Sequence, residues 1–137
     1  MTHSIKEVPM IYHFPPTISH AKIPPLSSAC RVDDWVFVSG TPGYDVDMEL
    51  APSFTVQFET ALQSLTAILA RTGSCLEHVV KVGIYLTRAE DIPEMNRLYG
   101  LVFGPAPYPA RTTVIVAALP DPAMLVELEC VAVIRSS

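Results

Sequence analysis

An α+β domain with the element order β-β-α-β-α-β-β, two helices lying on one face of a mixed sheet as a sandwich, is predicted by three observations. Two segments repeat apolar residues at intervals of three and four, five short segments are rich in β-branched and aromatic residues, and the thirteen prolines cluster between these segments. Residues 29–32 and 35–39 flank Asp33-Asp34 as a tight hairpin, with the second strand ending at Gly40. Over 53–72, Phe54, Phe58, Leu62, Leu65 and Leu69 share one helical face, Ser53 is placed to cap the N-terminus and Gly73 to stop the helix. Val80, Val82, Ile84 and Leu86 then alternate with Val79, Lys81, Gly83 and Tyr85, the pattern of a half-buried strand. Asp91 is placed to cap a shorter helix from Pro93, in which Met95, Leu98, Tyr99, Val102 and Phe103 recur up to Gly104. Strands over 112–119 and 124–134, joined by Pro120-Asp121-Pro122-Ala123, complete the order.

With 137 residues, half of them hydrophobic, the chain is expected to be one domain over 1–137, with residues 1–23 an irregular, proline-rich arm. If both helices cover one side of the sheet, the other side still carries Val, Ile, Cys and Ala. A domain this small does not leave such an area wet, so self-association is expected.

Composition excludes several classes. A net charge of -5, with nine Lys and Arg spread thinly, offers no basic patch for a phosphate backbone, which argues against nucleic acid. Residues 1–22 build no apolar stretch of the secretory kind and no 18-residue apolar run exists, so a soluble, cytoplasmic protein with no membrane association is expected. Cys30, Cys75 and Cys130 have no paired spacing and read as reduced, with Cys30 and Cys130 in the core. His3, His13 and His20 lie in the arm without metal-ligand spacing, and His78 is expected to be exposed, so no metal is assigned. Ser39 lacks a nucleophile elbow and reads as a strand-end hydrogen bonder.

Arg111 stands alone in Tyr-Pro-Ala-Arg-Thr-Thr-Val-Ile-Val, a run that otherwise reads as buried strand. A guanidinium there needs an anion, from the protein or from a ligand, and its planar fork suits a carboxylate. Glu127 and Glu129, two apart and therefore on one face of the last strand, are the acids the next strand supplies, and a salt bridge across a hairpin to either is the purely structural alternative. Met95, Tyr99 and Phe103 read as core, and Asn96 as a residue tying its helix to a neighbouring loop.

Five segments in order, Trp-Val-Phe-Val-Ser-Gly at 35–40, Val-Val-Lys-Val-Gly-Ile-Tyr-Leu at 79–86, Met-Asn-Arg-Leu-Tyr at 95–99, Pro-Ala-Arg-Thr-Thr-Val at 109–114 and Val-Glu-Leu-Glu-Cys-Val-Ala-Val at 126–133, resemble the RidA/YjgF family of small enamine and imine deaminases. The resemblance implies a chorismate-mutase-like fold, a homotrimer with clefts between subunits, and cofactor-independent hydrolysis of a small 2-imino or 2-enamino acid to a 2-oxo acid and ammonia. By the same resemblance Arg111 holds the substrate carboxylate and Glu127 is the acid/base. Ser39, Asn96 and the backbone at Thr113, where many deaminating members carry cysteine, add substrate contacts. One departure stands out. Where deaminating members carry a tyrosine after Gly-Pro, this chain has Pro24-Pro25-Leu26, so the phenol is absent unless Tyr12, Tyr44 or Tyr108 replaces it. An apolar Leu26 in that place suits a bulkier substrate, so a deaminase for a larger, aminomuconate-like intermediate is the second reading, and a non-catalytic carboxylate-binding trimer the third.

Overall fold

A computed structural model describes residues 7–134. The elements are β1 (Ile11–Phe14), β2 (Ala29–Val32), β3 (Trp35–Pro42), α1 (Phe54–Thr72), β4 (Val79–Leu86), α2 (Ile92–Phe103), β5 (Ala110–Ile115) and β6 (Val126–Val133). They form one six-stranded sheet in the order β1-β2-β3-β6-β4-β5, with α1 and α2 packed on one face. The sheet is mixed because β5 runs parallel to β4 while every other pair is antiparallel.

The helices form where the periodicity places them. Ser53 accepts a hydrogen bond from the Val56 amide at 3.4 Å, and Gly73, at φ 89°, closes the helix with its N–H on the Ala70 and Leu69 carbonyls. Phe58, Ala61, Leu65 and Leu69 are fully buried against Val36, Val82, Ile84, Leu128 and Ala132 of the sheet. Each large side chain removed from water in this layer contributes roughly 1.5–3 kcal/mol. Gln57, buried on the same face, has every polar atom engaged: its amide nitrogen donates to the carbonyls of Ala51 (2.7 Å) and Ala123 (2.9 Å), and its oxygen accepts from the Leu125 amide (2.9 Å). It thereby fixes the chain that leads into β6.

Several expectations need correction. The arm is not irregular throughout, because Ile11–Phe14 adds β1 to the sheet edge beside β2, and an edge strand tolerates the prolines around it; residues 1–6 of the proposed arm, with His3, lie outside the described residues. Gly40 does not end its strand: β3 passes through a register shift between Val38 and Thr41 and runs on to Pro42. In β4 a second shift, between Val79 and Lys81, turns Val79 rather than Val80 into the core. Asp91 stands at the start of α2 but does not cap it, since its carboxylate takes both Nε and Nη2 of Arg88 at 2.8 and 3.0 Å.

Most consequential for function, β5 and β6 are not a hairpin. β4 lies between them, so the strand carrying Arg111 is an outer strand of the sheet. The uncovered face displays Trp35 (46% exposed) and Phe37 (47% exposed), an apolar area on the side away from the helices. No helix among the described residues is long and apolar enough to cross a membrane.

Candidate active site

Strand register decides which face each candidate side chain reaches. Arg111 is paired with Val82, which is buried under the helices, whereas Glu127 is paired with Tyr85, three residues further along β4. Paired residues share a face and successive residues alternate, so Arg111 projects toward the helix side and Glu127 toward the uncovered side. Within one chain the two do not meet, and the alternative of a salt bridge across a hairpin is overturned by the strand between them.

On the helix side, the Arg111 guanidinium lies over the Tyr99 ring, 4.8 Å from its centroid, with Nη1 3.8 Å from Met95 Sδ. Asn96, Tyr99, Gly100, Tyr108, Pro109 and Arg111 line an open cleft of about 310 Å³. Thr113, two residues on and on the same face of β5, has a buried hydroxyl without a partner. The Tyr99 hydroxyl is likewise buried and unpartnered; burial raises its pKa, and the Arg111 charge offsets part of that rise.

Toward the uncovered face, Glu127 and Glu129 need room, and two glycines supply it. A Cβ at Gly40 would overlap Glu127, and one at Gly83 would come within 2.7 Å of Glu129 Oε1. Half-buried Glu127 has its pKa raised, first by desolvation and then by the charge of Glu129, so it holds a proton more readily than an ordinary carboxylate. Glu129 accepts a hydrogen bond from the Tyr85 hydroxyl at 2.6 Å. Ser39, beside Gly40, donates from its hydroxyl to the Ser27 carbonyl at 2.6 Å and so reaches the segment that carries exposed Leu26. Tyr44 donates to Asp121 at 2.8 Å; burial, this bond and the charges of Asp121 and Glu127 push its pKa up to about 12.

The six predicted site residues therefore fall into two groups: Arg111, Asn96 and Thr113 at the α2–β5 edge, and Glu127, Ser39 and Leu26 around the β3 register shift. Of the tyrosines considered as replacements at position 26, Tyr108 lines the Arg111 cleft, Tyr44 senses Glu127, and Tyr12 lies on β1 at the far edge. From the sequence Tyr99 reads as a core residue, and Tyr108 as one of three tyrosines that could stand in at position 26. The signal for them is spacing, since Tyr99 follows Met95 by four on α2 and Tyr108 precedes Arg111 by three.

The remaining candidates separate cleanly. Cys130 is buried and burial, followed by the Glu129 charge, pushes its thiol up to about 12, consistent with an inert core residue. Cys30 is instead half-buried on β2, between β1 and β3, with Sγ 3.4 Å from His13 Nδ1. His78 is not an exposed side chain: it is half-buried, with Nδ1 sealed from solvent and unpartnered. Among the described residues, no group of three or more His, Cys, Asp or Glu is arranged to hold a metal ion.

Comparison with known proteins agrees with this architecture. The model of the family described as endoribonuclease L-PSP matches residues 18–134. The RutC family protein UK114 of Drosophila melanogaster is 38% identical over 116 residues, 83% of each chain. A 2-iminobutanoate/2-iminopropanoate deaminase of Dermatophagoides farinae is 35% identical over 116 residues, 82% of this chain and 88% of its own. The crystal structure of RidA from the Antarctic bacterium Psychrobacter sp. PAMC 21119 superposes with a TM-score of 0.78 at 36% identity, covering 83% of this chain and 92% of that one. The mixed sheet under two helices, the Pro-Ala-Arg strand start and the Val-Glu-Leu-Glu strand thus have one common explanation: this chain belongs to the RidA/YjgF family.

Proposed function

We propose that this chain is a hydrolytic deaminase of reactive 2-imino and 2-enamino acids, working as a homotrimer in which each site combines Arg111 of one copy with Glu127 of the next. The observation that carries the reading is Arg111 itself, a permanent cation facing an open cleft with no carboxylate within 4.0 Å among the described residues. The relative named as an iminobutanoate/iminopropanoate deaminase supports the same chemistry. Sharing of the site between copies is supported by the opposite directions of Arg111 and Glu127, and the apolar uncovered face supplies a surface for assembly.

The chemistry needs only these side chains. Arg111 takes the substrate carboxylate through a bidentate, charge-assisted pair, with Asn96 and the Thr113 backbone alongside. Glu127, as carboxylate, removes a proton from a water molecule as its oxygen bonds to the imine carbon. It passes that proton to the imine nitrogen, giving a carbinolamine, then takes the carbinolamine hydroxyl proton and delivers it to the amino nitrogen as the C=O bond forms and the C–N bond breaks, and the 2-oxo acid and ammonia leave. A raised pKa suits a group that must both take and give the proton. Ser39 contributes a hydroxyl beside Glu127.

A second reading, a larger substrate such as an aminomuconate-like intermediate, is favoured by Leu26, 40% exposed where a tyrosine is expected. The decisive measurement is 2-oxo acid release from an imine generated in situ by an amino-acid oxidase, in competition with semicarbazide. Wild type is expected to lower semicarbazone yield and Arg111→Ala to lose that effect. Equal yields with and without wild type, across small and large imines, reject the deaminase reading and leave carboxylate binding without turnover.

A further inference from the structure

Three arginines of this chain show their contacts side by side. Arg88 spends its fork on Asp91 (2.8 and 3.0 Å), and Arg97 spends its fork on Glu94 (2.6 and 2.9 Å). Both are structural, with their directional donors used and their charge compensated. Arg111 is held differently. Its guanidinium carbon lies over the Tyr99 ring, 4.8 Å from the centroid, and among the described residues the one hydrogen-bond partner of its fork is the weak acceptor Met95 Sδ at 3.8 Å. An aromatic face attracts the guanidinium charge through its π cloud without acting as a directional hydrogen-bond acceptor, so the cation is held without consuming the fork.

The ring is itself immobilised. Tyr99 is only 5% exposed, packs on Phe103 with centroids 4.6 Å apart, and stacks with Tyr108 at 6.4 Å. Among the described residues its hydroxyl has no partner, while the ring meets three neighbours, Phe103, Tyr108 and Arg111.

We propose that Tyr99 is a positioning residue for Arg111: the buried ring is a platform that aims an uncompensated guanidinium at the cleft, so that its fork is free for the carboxylate of the substrate. The proposal deepens the deaminase reading and rests on it for the identity of the ligand. It assigns to an apparent core residue the task of setting carboxylate affinity. The work is done by the ring, and the hydroxyl is dispensable.

The test is calorimetric titration of 2-oxobutanoate into wild type, Tyr99→Phe and Tyr99→Leu, with imine turnover and thermal melting on the same samples. Tyr99→Phe is expected to bind within about twofold of wild type and to melt no lower, since it keeps the platform and removes an orphaned hydroxyl. Tyr99→Leu is expected to bind about 10-fold more weakly and to raise KM by a similar factor, with kcat within about threefold, because Tyr99 touches no reacting atom. Binding by Tyr99→Leu equal to wild type, or by Tyr99→Phe as weak as by Tyr99→Leu, overturns the proposal. Should Tyr99→Leu fail to fold, the Arg111 Nε–Hε resonance of the wild type, assigned by its loss in Arg111→Lys, decides. A clear upfield ring-current shift supports the platform, and a position typical of a solvated arginine overturns it. The expected binding pattern without imine turnover retains Tyr99 and rejects the deaminase; no carboxylate binding by wild type rejects both.

Discussion

Arg111 and Glu127 are both charged side chains on strands of one sheet, and their surroundings act on them in opposite ways. Arg111 sits on an outer strand, its charge uncompensated, steadied by an aromatic ring that leaves its donors free. Glu127 sits on an inner strand, half-buried beside a second glutamate, where desolvation and like charge favour its protonated form. One environment preserves a fixed charge, and the other loosens a proton. A group that binds an anion benefits from the first, and a group that shuttles a proton from the second.

The contrast is broken most severely by removing the proton carrier. Glu127→Gln is expected to lower kcat by about 10²–10⁴ while 2-oxobutanoate still binds, measured in the imine assay and by calorimetry. Arg111→Ala is expected to cost less, about 10- to 150-fold in kcat/KM through loss of a charge-assisted pair, with carboxylate binding abolished at the concentrations that saturate wild type. If the two groups belong to different copies, mixing the two impaired variants under conditions of subunit exchange raises activity above that of either alone. In a randomly mixed cyclic trimer roughly a quarter of the sites pair an intact Arg111 with an intact Glu127. No recovery after verified exchange breaks the shared-site reading.

Smaller effects sharpen the comparison. Glu129→Gln removes the second cause of the raised Glu127 pKa, so the acid limb of the kcat/KM profile is expected to move to lower pH. The same raised pKa has a stability consequence of definite sign. A carboxyl group that binds its proton more tightly in the folded state stabilises the fold below its unfolded pKa, and that contribution is lost as pH rises through the raised folded value. Glu127→Gln is therefore expected to melt higher than wild type at neutral pH, with the difference shrinking as pH falls below the ordinary glutamate range.

Much of this was legible in the chain, for identifiable reasons. α1 could be bounded almost to the residue because Ser53, the three-and-four spacing and Gly73 all act locally. The anion expected at Arg111 rested on a buried strand, whereas β5 is largely exposed in the single chain, where solvent holds the charge; apolar composition does not tell an inner strand from an outer one. What was misread depends on pairing between distant segments. That β5 pairs in parallel with β4 follows from the β4-α2-β5 crossover, whereas the insertion of β6 between β3 and β4 is set by how the sheet closes over α1, which no local pattern encodes. The shift at Val79–Lys81 reversed the apparent inward face of the start of β4, because alternation is blind to a bulge. β1 was hidden by the prolines around it, which matter less at an edge where one side of the strand needs no ladder.

An anchor on a strand bonded along one side has a further consequence. β5 is hydrogen-bonded to the sheet along one side, by its parallel ladder with β4, six residue pairs from Lys81↔Ala110 to Leu86↔Ile115. Its amides belong to the part of the sheet that opens most cheaply, and a bound carboxylate would weight that equilibrium toward the closed strand. Amide hydrogen exchange along residues 110–115 thus becomes a gauge of occupancy, slowed by ligand in proportion to affinity, while the buried amides of β6, on the far side of β4, barely change.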